Sequence, residues 1–453
     1  MRMNSPTRRV ALFVSMMLWC GIGTAYAQPL ELTLDQCIER TLKNDLSIRS
    51  AQHRVRAAEK TVDQARAAFL PQMQASTGER LIAQGPTSDQ PYFDPQNQRW
   101  IQPGEQKFTT ASAGVSLSQS IYNGGRNWAQ IAQARAHVEM ARADLWIQRR
   151  AAIQTVKERY IEMLKAEKLL EVAQEALRLG EAQLKQSQTM YELGVKTKMD
   201  VLKSRVKMAG DKLNLISAQN RLDQARASLA RALGLDPTTP VRIVEERFAL
   251  PDSLPDFETA LSQALQQRPE MDWATWNVKS KRAAVPLQKS GHRPKVFVSA
   301  GYSWSDEDYG ALRDMFSQKY SWSYGFSLSI PLFDGFATRS GVRSAQEMLR
   351  SAENTLEQQR RDIALQIQQA LLDLQREGER IELSEESIVS AEEDLRYAEE
   401  SYRLGAGTIL EVLDAQAKLT DARNARAGAL YDVQLARLKL DMAMGEPLES
   451  KKQ

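Results

Sequence analysis

The sequence predicts a mainly α-helical chain with a membrane β-barrel portion: long antiparallel coiled-coil helices plus four strands, arranged as two internal repeats. Three observations lead there. Only 23 Gly and 16 Pro interrupt 453 residues, and Ala, Gln, Leu, Arg and Glu dominate, a composition of long helices rather than of an α/β enzyme. Motifs recur at a fixed spacing across the chain. Short segments before each long helix alternate strictly between apolar and small polar residues.

The chain opens with Arg2, Arg8 and Arg9, an apolar run from Val10 to Trp19, and Ala25-Tyr26-Ala27. Basic, apolar and small-residue zones in that order read as a secretory signal covering residues 1–27. The apolar run is shorter than the ~20 residues of a helical membrane span. Trp19 before Cys20 is a poor match to a lipidation site. Removing this segment takes three of the 60 basic residues and leaves 57 against 57 acidic ones. A neutral chain does not suit general nucleic-acid binding, and two cysteines, Cys20 and Cys37, build no disulfide framework. With no later apolar run of helical length, membrane insertion must use strands.

The repeat is exact in register. Leu117-Ser118, Ile121-Tyr122-Asn123-Gly124, Tyr191, Leu193-Gly194, Thr197 and Asp200 recur 211 residues later as Leu328-Ser329, Leu332-Phe333-Asp334-Gly335, Tyr402, Leu404-Gly405, Thr408 and Glu411. The start of each half aligns at 223 instead, with Leu42 on Leu265 and Pro71 on Pro294. The difference of 12 residues falls between Pro71 and Leu117, where Gln84 to Pro91 is turn-rich. The repeats are therefore 28–233 and 258–447, with a connector at 234–257 and a tail at 448–453.

Within the first repeat, residues 33–68 read as one helix ending at Pro71. Strands follow at 72–80 and 109–122, then a helix from Gly124 to about residue 189, and a returning helix over 198–232. The second repeat places strands at 296–304 and 324–332 and its returning helix at 408–443. In the strands Ala113, Val115 and Leu117, and again Tyr324, Phe326, Leu328, Ile330 and Leu332, face one way, with Ser and Gly opposite. That is the pattern of a wall between lipid and water. Along the long helices Val156, Met163, Ala166, Leu170, Ala173, Leu177, Leu184 and Tyr191, and Ile367 to Tyr402, keep a three-four spacing that makes a coiled-coil seam. The two short helices of the first half together match the long one in length, so they stack end to end beside it. Four strands do not close a barrel, so other subunits must pair the edges, and two or three chains both satisfy the count.

In this order of elements the chain resembles the TolC family of outer-membrane export channels over nearly all of residues 31–447. The resemblance implies a homotrimer, a twelve-strand barrel in the outer membrane of a Gram-negative cell, and a helical tunnel through the periplasm. It also implies a periplasmic adaptor and an inner-membrane pump of the RND or ABC type. On the matching positions, Glu411 and Asp414 form the acidic ring of the pore constriction. Asp200 and Tyr402 form a gate link, and Leu193-Gly194 and Leu404-Gly405 are adaptor-docking turns. The usual arginine of a second link is Gly407 here, and Met199 replaces its hydroxyl partner, which implies a more weakly latched closed state, with Arg403 as the nearest substitute.

His53, His137 and His292 share no metal-binding spacing. Gly124-Gly125-Arg126 lacks the ending of a phosphate loop, and no nucleophile elbow occurs. No enzyme, metal or cofactor is expected; the reading is a passive exit duct, and a periplasmic coiled-coil structural protein is the alternative.

Overall fold

A computed structural model describes residues 30–85, 91–101, 106–244, 255–307 and 309–445. The signal segment 1–27, Cys20, part of the connector and the tail 448–453 lie outside them. The strands are β1 (Leu30–Leu32), β2 (Gln72–Gln84), β3 (Tyr92–Asp94), β4 (Arg99–Ile101), β5 (Gln106–Asn123), β6 (Val241–Ile243), β7 (Lys295–Asp306) and β8 (Tyr320–Ser329). The helices are α1 (Leu34–Asn44), α2 (Leu46–Ala67), α3 (Arg126–Glu192), α4 (Lys198–Ala232), α5 (Phe257–Gln267), α6 (Pro269–Lys289), α7 (Ala337–Arg403) and α8 (Ile409–Met444). Helices α3 and α7 have 67 residues each, about 100 Å at ~1.5 Å per residue.

Residues 33–68 form two helices rather than one. Asp45 takes an extended conformation and its carboxylate accepts from the N–H groups of Ser47 and Ile48, so it caps a new helix instead of continuing the old one. The second repeat breaks at the equivalent place, where Pro269 starts α6 and Arg268 is extended. The break lets the chain turn at the belt of the molecule. There α1 and α2 continue the line of α4 along α3, and the Thr41 hydroxyl donates to the carbonyl of Ala232 at the joint. Strands β1 and β6 pair in parallel beside it. The main apolar core lies at this level, with Val156, Tyr160, Met163, Leu229 and Leu233 almost fully buried.

The four long strands form one antiparallel sheet in the order β2-β5-β7-β8, leaving β2 and β8 as edges. Paired residues fix its faces. Ala113 opposes Trp304, Val115 opposes Tyr302, Ala300 opposes Tyr324 and Val298 opposes Phe326, so one face is apolar and aromatic. On the other face Ser112, Gly114, Ser116 and Ser118 meet Ser305, Ser303, Gly301 and Ser299. Strand β8 ends at Ser329, short of the expected Leu332, because Pro331 has no N–H to offer a ladder. Strands β2 and β5 run longer than expected, and the turn-rich insertion contains a small hairpin, β3-β4.

Strands β5 and β8 each lead into a long helix through a glycine turn, but the two turns are packed differently. Gly124 has φ +72°, and a Cβ there would lie 2.7 Å from Arg293 Cβ and 2.8 Å from the Ser290 carbonyl. Gly335, its counterpart, has φ +62° and open space around it. Gly335→Ala is expected to cost about 1–2 kcal/mol for the left-handed backbone alone. Gly124→Ala should cost distinctly more, because backbone must also move; thermal unfolding of the two variants in detergent checks the order.

Candidate functional site: the helical tip and its carboxylates

At the end opposite the sheet, each long helix turns into its returning helix through a left-handed glycine. Gly194 and Gly405 have φ +74° and +83°. Val195 N–H reaches the Met190 carbonyl at 2.9 Å, and Ala406 N–H reaches that of Ser401 at 2.9 Å, which ties up the last carbonyls of each helix. The side chains beside the glycines then have nowhere to pack. Leu193 and Leu404 are 72% and 73% exposed, so both turns present a leucine to whatever lies beyond the tip.

Both returning helices start on a capping box. Thr197 Oγ1 accepts from Asp200 N–H, and the Asp200 carboxylate accepts from Thr197 N–H at 3.3 Å. Thr408 and Glu411 repeat this, with Glu411 Oε2 accepting from Thr408 N–H at 3.1 Å. The sequence-selected carboxylates Asp200 and Glu411 therefore each hold a helix start. Asp414, three residues on and on the same face as Glu411, is exposed and pairs with Lys418 Nζ at 2.8 Å. Lys418 also reaches Asp394 at 3.5 Å. Lys418 was not singled out from sequence, although its i,i+4 spacing from Asp414 is readable there. Its charge offsets part of the Glu411–Asp414 pair.

Tyr402 and Asp200 are brought into each other's field but not into a hydrogen bond. Tyr402 is 1% exposed, with its ring under Lys196 Nζ at 4.0 Å. Its hydroxyl lies beside Ser187 without a well-formed partner. Burial pushes the phenol pKa up, the Asp200 carboxylate adds to that, and the Ser187 hydroxyl opposes it. Arg403 pairs with Glu400 on its own helix at 2.6 Å and does not bridge the coils. Met199 is exposed, and Gly407 sits close to Glu411 and Ser401.

The two coils reaching the tip pack by different chemistry. Between α7 and α8 the seam is apolar: Ala391, Leu395, Ala398, Ile409, Val412, Ala415 and Leu419 are buried together. Between α3 and α4 it is small and polar. Gln183, Ser187, Ser204 and Asp211 are buried, with Ser187 Oγ to Ser204 Oγ at 3.0 Å. Asp211 binds Lys207 Nζ at 2.5 Å through Oδ1, while its Oδ2 is buried without a partner against Gly180. The expected seam of Leu177, Leu184 and Tyr191 is thus displaced by Ala176, Gly180, Gln183 and Ser187. The apolar residues misled because close approach selects small side chains, not greasy ones.

Geometrically this is a long helical conduit that carries one sector of a membrane barrel wall, with acidic groups at its far end. The chain belongs to the outer membrane efflux protein family, whose model matches residues 37–235 and 260–446. That places it in the outer membrane, with its helical body in the periplasm. It is 25% identical to the outer membrane protein TolC of Vibrio cholerae over 435 residues, 96% of this chain and 94% of that one. It is 28% identical over 199 residues to the alkaline protease secretion protein AprF of Pseudomonas aeruginosa, 42% of this chain and 40% of that one. Among solved structures, VceC of Vibrio cholerae superposes with TM-score 0.75 at 19% identity, covering 91% of this chain and 96% of that one. The open state of MtrE from Neisseria gonorrhoeae gives TM-score 0.71 at 18% identity, covering 93% and 91%.

Two expectations follow for the tip. Gly180→Ala puts a methyl 2.8 Å from Asp211 Oδ2 and should destabilise by about 1–3 kcal/mol. Gly210→Ala, on an open helix face, should gain about 0.5–1 kcal/mol; thermal melts and limited proteolysis distinguish them. For Tyr402, the folded chain holds its proton while the unfolded chain releases it near the ordinary pKa of ~10. Stability from this group is therefore complete below pH ~10 and lost above it. The tyrosinate absorbance that disappears in Tyr402→Phe should titrate above that value, and lower in Asp200→Asn.

Proposed function

We propose that three copies of this chain assemble into a closed twelve-strand barrel continuous with a twelve-helix tunnel. The assembly serves as the passive exit duct of a tripartite efflux or type I secretion system. One observation carries the reading: the four-stranded sheet has an apolar face, a Ser/Gly face and two unpaired edges. An open edge in hydrocarbon leaves N–H and C=O groups without partners, at several kcal/mol each, so closure by copies is required. A second support is the exposed stripe Met199, Leu202, Val206, Leu213 and Ile216 on α4. Its three-four-seven-three spacing is a coiled-coil seam that stays largely exposed, although Leu410 and Leu413 of α8 flank its first half.

In this assembly Glu411 and Asp414 ring the axis at the narrow end, and each Lys418 reduces the ring's charge. Leu193-Gly194 and Leu404-Gly405 form the knuckles that a periplasmic adaptor engages, with an RND or ABC pump behind it supplying energy. Asp200 and Tyr402 act in the gate link through Coulombic coupling and packing rather than a direct hydrogen bond. The relatives' names include both alkaline protease secretion and pyoverdine export.

Reconstitution in planar bilayers tests the ring. The channel should be cation-selective, and Glu411→Gln with Asp414→Asn should move the reversal potential toward zero. Lys418→Gln should move it the other way, because Asp414 loses its counter-charge. A reversal potential unchanged in both variants removes these residues from the conduction path.

A further inference from the structure

The segment joining β7 to β8 does not stand up from the sheet. It turns through a 3-10 helix, Tyr309–Asp314, and lies back on the sheet at the end farthest from the helices. Ala311, Leu312 and Met315 of this segment cover Ala111, Ala113 and Trp304, and Trp304 is only 1% exposed as a result. The strand pairing fixes which face this is. Ala113 opposes Trp304, Trp304 opposes Tyr320, and Tyr302 opposes Trp322, all on the apolar face. The Ser/Gly face is the opposite one.

The fold is held there by specific contacts. Tyr302 OH donates to the Met315 carbonyl at 2.6 Å, and Lys319 bridges to Asp306 at 2.9 Å. The Tyr302 ring stacks with those of Phe316 and Tyr320, each at 5.8 Å between centroids, and Trp322 stacks with Tyr324 at 5.9 Å. Phe316 projects outward and is 76% exposed. A loop that plugged the lumen would pack on the Ser/Gly face; this one adds a second layer to the apolar face.

We propose that residues 309–319 form an external collar seated in the lipid at the outer rim of the barrel, and that Phe316 inserts at the boundary between headgroups and acyl chains. The occupant is lipid because the patch continues the apolar face of Trp322, Tyr324 and Phe326 without interruption. Aromatic rings are also the side chains that suit such a boundary, having an apolar body and, in Tyr and Trp, a polar edge. The collar also leaves the lumen at this end free of the β7-β8 segment. This inference rests on the barrel reading above.

The test uses the full chain in phospholipid vesicles with a nitroxide on Phe316→Cys and, separately, on Tyr324→Cys; Cys37 is buried. Both labels should collide more with oxygen than with a water-soluble nickel chelate, with Tyr324 the deeper. A water-exposed label at 316 with a lipid-exposed one at 324 overturns the collar and leaves the barrel standing. Water exposure at both overturns the barrel reading itself. A label at 316 shielded from both probes means a neighbouring protein surface instead of lipid, which also overturns the proposal. In a second measurement, replacing residues 310–317 by a short Gly-Ser link should leave single-channel conductance unchanged. A rise in conductance would mean the segment occludes the pore. Should that variant not fold, Phe316→Ser decides the same point, since an external collar predicts wild-type conductance.

Discussion

A backbone group facing hydrocarbon has no solvent to bond, and this constraint governs the whole molecule. Strands β2 and β8 each leave one side of their ladder open, yet the sheet they bound has one face fit for lipid. The chain is thus shaped as a sector. Each repeat supplies two strands and nearly the same helical length, so the sector's two halves are interchangeable in form. Each long helix is fed by a strand of the wall through a short turn with a left-handed glycine, Gly124 or Gly335.

Along the conduit, packing chemistry changes with height. At the belt, large apolar side chains around Tyr160 and Met163 fix the joint where α1 and α4 meet. Below it, the α7-α8 coil buries mainly apolar side chains, with Ser384 and Gln416 among them, whereas the α3-α4 coil closes on serines, a glutamine and a buried aspartate. Small polar seams allow close helix approach but gain little from burial. Their stability depends on each polar atom finding a partner, and Asp211 Oδ2 in the α3-α4 seam does not. The two coils at the tip therefore differ in the side chains they bury, although the sequence repeat makes them look alike.

Fold class, strand alternation and the glycine turns are legible in the sequence, because each depends on residues near one another in the chain; the capping boxes are spelled there too, but only the structure assigned Asp200 and Glu411 to them. Thr197 and Asp200, or Thr408 and Glu411, carry their own hydrogen-bonding logic at a spacing of three. The break at Asp45 is not visible in the sequence because an aspartate that caps a new helix and one inside a continuous helix look identical without φ and ψ. The α3-α4 seam was misassigned because Leu177, Leu184 and Tyr191 offer a better hydrophobic period than Gly180, Gln183 and Ser187, which the partner helix selects. Lys418 was overlooked although its spacing from Asp414 was in plain view.

By itself the sequence determined that this chain is two copies of one strand-and-helix unit, with its apolar strand face and its turns already specified. Local periodicity and backbone chemistry suffice for that. Only the tertiary structure decided which face each long-range neighbour covers. It put Gly180 against Asp211, Tyr402 within reach of the Asp200 charge, and the β7-β8 segment on the apolar face of the sheet. Those outcomes depend on contacts between residues tens to hundreds of positions apart, where steric fit rather than pattern chooses the partner.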